Sequence, residues 1–249
     1  MRVIVTENYQ DLSRCAADLV QQCVEKNPQA LVSFPGGDTP VGMLEEFVRR
    51  VNDGTIDPTG LKFVQLDDWV GVGPQDEGSC AHFLHTRLLE QMDRPFAQQF
   101  TFDGSREDID QQLRQHDAFI RQHGPMAVDV LGIGMNGHLG FNENGVDFSL
   151  RSHRTPLSSV TKSVQKKYFG GRDMPLTEGI TQGIAQIMEA ELVILLANGA
   201  RKAEIVAKAL LGPVTNEVPA SVLQNHPNFV CILDKEAASL LPAELLEMQ

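Results

Sequence analysis

Short apolar runs alternate with stretches of helical periodicity from one end of the chain to the other, and this alternation limits the possible folds most. The runs fall at residues 2–5, 30–34, 62–66, 127–133, 191–197 and 228–233, with a shorter one near 99–102. Between the first two, Leu12, Cys15, Ala16, Leu19, Val20 and Cys23 stand at i, i+3, i+4, i+7, i+8 and i+11, which is one face of a helix. Ser79 is placed to start a helix running to about Met92, a polar helix crosses 107–122, and another runs from Lys202 to Leu211. Strands and helices in this order predict an α/β fold: a mostly parallel open sheet with helices on both faces, closed by the run at 228–233. The whole chain, 1–249, reads as a single α/β domain. Residues 150–180 differ, because Ser, Thr, Arg, Lys and Gly dominate and core candidates are few. That stretch is expected to be a lid-like insertion over the site.

Composition removes several classes of function. A net charge of −12 argues against nucleic acid or an anionic membrane as partner, while leaving room for a local cationic pocket. No segment reaches the roughly 20 apolar residues that span a bilayer. The start, Met-Arg-Val-Ile-Val-Thr, enters a strand at once without a signal peptide's apolar region, so a cytoplasmic protein is expected. Cys15, Cys23, Cys80 and Cys231 lack zinc-like spacing and read as reduced core thiols. His82, His85, His116, His123, His153 and His226 form no ligand cluster, so neither metal nor cofactor is expected.

Ligands in open parallel sheets bind beyond the carboxyl ends of the strands, and three polar segments fall there. The richest is residues 131–143, Leu-Gly-Ile-Gly-Met-Asn-Gly-His-Leu-Gly-Phe-Asn-Glu. Glycines at 132, 134, 137 and 140 let the backbone approach a ligand, and His138 and Glu143 on the same turn are candidates for proton transfer. Asn136 can hydrogen-bond but takes up no proton in the working pH range. Asp67-Asp68-Trp69 follows the third strand. Asp67 is either a general base or a loop carboxylate capping the next helix, and Asp68 has a structural or orienting role. Gly36-Gly37-Asp38-Thr39-Pro40 resembles an anion cradle, with Thr39 placed to cap a helix and Pro40 at its first position. Asp38 works against a phosphate there unless it points away. Taken alone, Lys166, Lys167 and Lys202 read as solvated lysines.

Taken together, Pro-Gly-Gly-Asp-Thr-Pro, Gln-Leu-Asp-Asp-Trp-Val-Gly, Gly-Ile-Gly-Met-Asn-Gly-His-Leu-Gly-Phe-Asn-Glu and Ala-Arg-Lys-Ala resemble, in order, the glucosamine-6-phosphate deaminase family. The Asn-Gly-His-Leu-Gly turn and the segments from Glu178 and Val218 are most similar to its galactosamine-6-phosphate deaminase/isomerase branch. The sugar-lactonase relatives continue differently where this chain has Phe141-Asn142-Glu143.

The resemblance implies a Rossmann-like fold of sugar-phosphate isomerase type and a small sugar phosphate as the partner. It implies that His138 opens the sugar ring, Asp67 moves a proton between C2 and C1, and Glu143, with Asn136, tunes or orients His138. It assigns substrate or phosphate binding to Gly36, Gly37, Asp38, Thr39, Asp68, Gly137, Lys167 and Lys202. Three departures stand out: Asn136 where many members have Asp, Asp38 where Gly or Ala is usual, and Lys167 in place of Arg. The basic residues of a regulatory site are replaced around His153 and Thr155, and the chain ends soon after its last strand. An unregulated monomer or small homo-oligomer is therefore expected. The alternatives are a sugar-phosphate lactone hydrolase and a non-catalytic sugar-phosphate sensor.

Overall fold

The computed structural model describes residues 1–248. In chain order the elements are β1 (Arg2–Thr6), α1 (Tyr9–Lys26), β2 (Leu31–Phe34), α2 (Val41–Asn52), β3 (Lys62–Gln65), β4 (Asp67–Trp69), α3 (Cys80–Arg87), β5 (Gln98–Phe100), α4 (Ile109–His123) and β6 (Met126–Gly132). They continue with β7 (His153–Pro156), α5 (Ser159–Tyr168), β8 (Glu178–Thr181), α6 (Ile184–Met188), β9 (Val193–Ala197), α7 (Ala203–Leu211), β10 (Phe229–Asp234) and β11 (Leu246–Met248). Eight strands form one sheet in the order β11-β1-β10-β9-β6-β2-β3-β5, and each pairing in it is parallel.

The expected α/β architecture is therefore what the chain adopts. Side chains that alternate along a strand enter different cores. Ile4, Val32, Val128, Val130, Ile194 and Leu196 join α1 and α2 on one face. Val3, Val5, Leu131, Val193 and Leu195 join α7 on the other. With both faces covered, the central strands are largely apolar, and the polar residues within them, Ser33 on β2 and Asp129 on β6, are themselves buried. On the α2 face Phe34, Phe47, Phe63 and Phe96 form a chain of ring contacts with centroids 5.3–6.1 Å apart.

The strand order turns around between β2 and β6. From β2 the chain moves outward to β3 and β5, then returns to β6 on the other side of β2 and continues to β9 and β10. The loops leaving β2 and β6 diverge at that point and open a crevice. They are the Gly36–Thr39 loop and the His138 turn.

Several local expectations are corrected. The run at 228–233 does not close the sheet, because β1 pairs on its far side and β11 lies beyond β1. Thr39 caps no helix. Pro40 occupies the cap position of α2, and the Thr39 hydroxyl donates instead to Asn198 Oδ1 at 3.0 Å. Ser79 does cap α3, but the α-helix stops at Arg87 and passes into a short 3-10 turn, Leu89–Gln91. A 3-10 turn, Ala200–Lys202, precedes α7.

The largest difference is a second sheet, β4-β8-β7, antiparallel throughout. Its strands are short and half polar, so no apolar run announced them. It places Asp67 within a strand, and it gives the 150–180 stretch a core of its own. Leu157, Phe169 and Leu176 are buried against Trp69, Val72 and Phe141.

One buried carboxyl tests this packing. Asp129 on β6 is fully buried; Gln182 Nε2 donates to one oxygen at 2.6 Å, and the other has no partner. Burial pushes its pKa up to about 7. A carboxyl whose pKa rises on folding imposes no penalty in acid, and its own contribution costs stability as pH climbs from about 4. The cost reaches about 4 kcal/mol near neutrality. Asp129→Asn keeps the shape and removes the titration. Its stabilising effect is expected to be about 1–3 kcal/mol larger at pH 8 than at pH 5, read as a Tm difference. Equal Tm shifts at both pH values would contradict this account.

Candidate active site

A cavity of about 600 Å³ opens at the switch point, lined by the Gly36–Thr39 loop, Asp67, Cys80, Gly134, His138, Thr161, Lys167, Tyr168, Arg201 and Lys202. Gly37 has φ +108°, which favours glycine, and a Cβ there would sit 3.9 Å from the Tyr168 hydroxyl. Gly36 packs on Cys80, whose Sγ lies 3.3 Å from the position a Cβ would take.

Asp67 and Asp68 are neighbours on β4 and so face opposite sides. Asp68 is buried behind the cavity and accepts from the amides of Trp69, Cys80 and Ala81 at 2.8–2.9 Å and from Gln65 Nε2 at 3.0 Å. It anchors the N-terminus of α3. Asp68, assigned to substrate binding by the resemblance, is not among the residues lining the cavity. Asp67 lies on the cavity wall. Burial first, and then the negative charge of Asp68, push its pKa well above the carboxylate range, with the Cys80 thiol opposing by a hydrogen bond. A carboxylate so raised is a stronger base than an exposed one.

The second polar segment is the turn after β6. It is fixed by Gly134 N to His138 O and Gly137 N to Gly134 O, both 3.0 Å, and by Gly137 O accepting from Ala220 N at 2.8 Å. Gly137 therefore serves the turn from behind the cavity. His138 presents its ring to the cavity, and its Nδ1 lies 3.4 Å from Glu143 Oε2. Glu143 stands behind the imidazole and also accepts from Asn136 Nδ2 (2.9 Å), the Ser158 amide (3.1 Å) and the Thr161 hydroxyl (2.5 Å). Burial alone would raise its pKa; the hydrogen bond and charge of His138, then Thr161 and Ser158, outweigh burial and bring it to about 2. Asn136 is likewise behind the wall, and its amide is a donor to Glu143.

Cations gather at the other end. Lys202 Nζ donates to Ile133 O, and burial, then Arg201 and Lys167, lower its pKa. Lys167 forms an ion pair with Asp38. The pair joins the last turn of α5 to the Gly36–Thr39 loop at the cavity. Thr161 and Tyr168 are not singled out by the sequence, Cys80 reads there as a core thiol, and Arg201 enters only within the Ala-Arg-Lys-Ala motif; all four line the cavity. Arg201 adjoins Lys202, and Ser158 begins a capping pattern that leads into Thr161, but nothing local places Cys80 or Tyr168 at the cavity.

The arrangement offers a buried base, an imidazole backed by an ionised carboxylate, and a cationic loop-and-helix end suited to an anion. Among the described residues, no group of three His, Cys, Asp or Glu side chains gathers to hold a metal, and no helix is long and apolar enough to cross a membrane.

Comparison with known proteins bears on this geometry. Residues 6–231 match the family model for glucosamine-6-phosphate isomerases/6-phosphogluconolactonase. A glucosamine-6-phosphate deaminase of Clostridium perfringens is 34% identical over 97% of this chain and 100% of its own length. One from Streptococcus thermophilus is 36% identical over 97% of this chain and 100% of its own length. The solved structure of a monomeric glucosamine-6-phosphate deaminase superposes with a TM-score of 0.92 at 30% identity, covering 96% of this chain and all of that one. A 6-phosphogluconolactonase from Leishmania guyanensis shares the fold, with a TM-score of 0.77 at 17% identity.

Proposed function

The chain belongs to the glucosamine-6-phosphate isomerase/6-phosphogluconolactonase family, and from that premise we propose that it is an enzyme, a deaminating aldose–ketose isomerase of 2-amino-2-deoxyhexose 6-phosphates. The observation that carries the reading is Asp67, a buried carboxylate with a raised pKa on the wall of a cavity that also holds His138 and a cationic anion-binding end. Lactone hydrolysis has no use for a base placed to work at C2, whereas isomerisation requires one.

The phosphate binds at Gly36, Gly37, Thr39 and Lys202, with Lys167 and Arg201 adding charge. Asp38 faces Lys167 across the mouth and leaves the cradle amides to the ligand. His138 takes the proton from the C1 hydroxyl and returns one to the ring oxygen, opening the pyranose to the aldehyde. Asp67 removes the proton from C2 and gives an enolamine. Protonation at C1 makes an iminium at C2, which adds water and expels ammonia. The sum is amino sugar phosphate plus water to ketose phosphate plus ammonia. Residues 150–180 cover the substrate during these steps.

Galactosamine 6-phosphate is the epimer supported by the Asn136–Gly140 turn and the segments from Glu178 and Val218. A monomer or small oligomer in a reducing, cytoplasmic compartment fits the four free cysteines and the monomeric relative. The test is ammonia release from galactosamine 6-phosphate and glucosamine 6-phosphate. The first is expected to have the higher kcat/KM. Folded protein that releases ammonia from neither would end the proposal.

A further inference from the structure

Helix α5 reaches the two ends of the cavity. Its last turn carries Lys167, paired with Asp38 on the anion loop. Its first turn reaches Glu143, through the Ser158 amide at 3.1 Å and the Thr161 hydroxyl at 2.5 Å. Thr161 is 2% exposed, and its Oγ1 also lies 3.4 Å from His138 Nδ1 and 3.0 Å from Ser158 Oγ.

A hydroxyl has a single proton to donate. The contact to Glu143 is the shortest that Thr161 Oγ1 makes, and its acceptor is an ionised carboxylate, so the proton goes there. Toward the imidazole, Thr161 Oγ1 then has only lone pairs. Glu143 Oε2, the other polar atom beside Nδ1, is also an acceptor. Two acceptors facing one ring nitrogen require that nitrogen to carry the hydrogen.

We propose that Thr161 is a positioning residue: by donating to Glu143 and accepting from His138 it fixes the imidazole as its Nδ1–H tautomer, leaving Nε2 as the nitrogen that exchanges protons with the sugar. The inference deepens the proposed function and rests on His138 as the ring-opening group. Asn136 supports it from the opposite side. As a donor to Glu143 Oε2 it competes with the imidazole for that oxygen, so Thr161 supplies what the Asn136 amide does not. Docking of α5 thereby completes the acid–base pair.

The tautomer is read directly by long-range ¹H–¹⁵N NMR of the imidazole nitrogens in wild-type protein near pH 8, with His138 assigned from the spectrum of His138→Gln. The expected result is Nδ1 protonated and Nε2 bare; an Nε2–H tautomer overturns the proposal whether or not ammonia release has been found. Thr161→Val then removes donor and acceptor at nearly constant volume. It is expected to mix the tautomers and lower kcat roughly 10²-fold with KM changed little, while Thr161→Ser recovers most of the activity. A Val variant with the wild-type tautomer and kcat overturns the proposal, as does a Ser variant as defective as Val. Wild-type protein with the Nδ1–H tautomer but no ammonia release would reject the proposed function and leave the tautomer assignment standing.

Discussion

Asp67→Asn is expected to lower ammonia release by about 10³-fold or more while leaving the protein at least as stable as the parent. The amide has the shape of the carboxylate but accepts no proton from C2. Its stability effect follows from the environment of Asp67: burial and the adjacent Asp68 both penalise the charged form. Because the folded-state pKa is raised, the penalty is absent in acid and grows as pH climbs above about 4. Asn removes it, so Tm should gain most in alkaline buffer. The same ionisation governs the parent enzyme, whose kcat/KM should rise with pH as Asp67 loses its proton, at values well above those of an ordinary carboxylate. A variant that keeps its ammonia release would remove Asp67 from the chemistry. A protein with no ammonia release that hydrolyses a sugar-phosphate lactone equally well with either residue would be a lactonase.

Gly134→Ala should be almost as damaging by a different route. A Cβ at residue 134 would lie 2.3 Å from His138 Nε2, 2.4 Å from Cδ2 and 2.5 Å from Cε1. Gly134 is not among the glycines with positive φ, so alanine fits its backbone without strain. The imidazole must therefore yield, and as it swings away it loses its alignment with Glu143 and Thr161. We expect kcat to fall about 10²–10³-fold with Tm within a few degrees of wild type. Full activity would show that the ring works from another position; a large loss of Tm would show that the turn, rather than the ring, had moved.

The large sheet was legible because its strands are buried on both faces, so residues 127–133 and 191–197 declare themselves by apolar content alone. The site was legible where it follows those strands: Gly36, Asp67 and His138 each stand just beyond such a run. The small sheet was not, because β7 is His-Arg-Thr-Pro with no apolar face to read and β4 begins with two aspartates, against strand preference. Contacts across long sequence distances were invisible too. Lys167 meets Asp38 from 129 residues away, and Thr161 reaches Glu143 only because β7 delivers the first turn of α5 behind the His138 turn. For Asp68 the sequence suggests a structural or orienting role and the resemblance a ligand contact, but neither shows which backbone amides its carboxylate holds.

The small sheet also has a practical consequence. β7 and β8 pair with one another, and β8 pairs with the strand that holds Asp67, so residues 157–177 enter and leave the cavity at fixed points. For the protein engineer that stretch is an exchangeable cassette. Val160, Thr161, Val164, Lys167 and Tyr168 of this stretch line the cavity, while its joints lie in the small sheet. A library built there must keep Ser158 and Thr161 for the imidazole and Leu157, Phe169 and Leu176 as the apolar feet that seat the insert on Trp69 and Phe141. Lys167 stays with the proposed phosphate site and buried Gln165 with its bond to Met174 O, so variation in search of other sugar phosphates belongs at the remaining positions, Tyr168 among them.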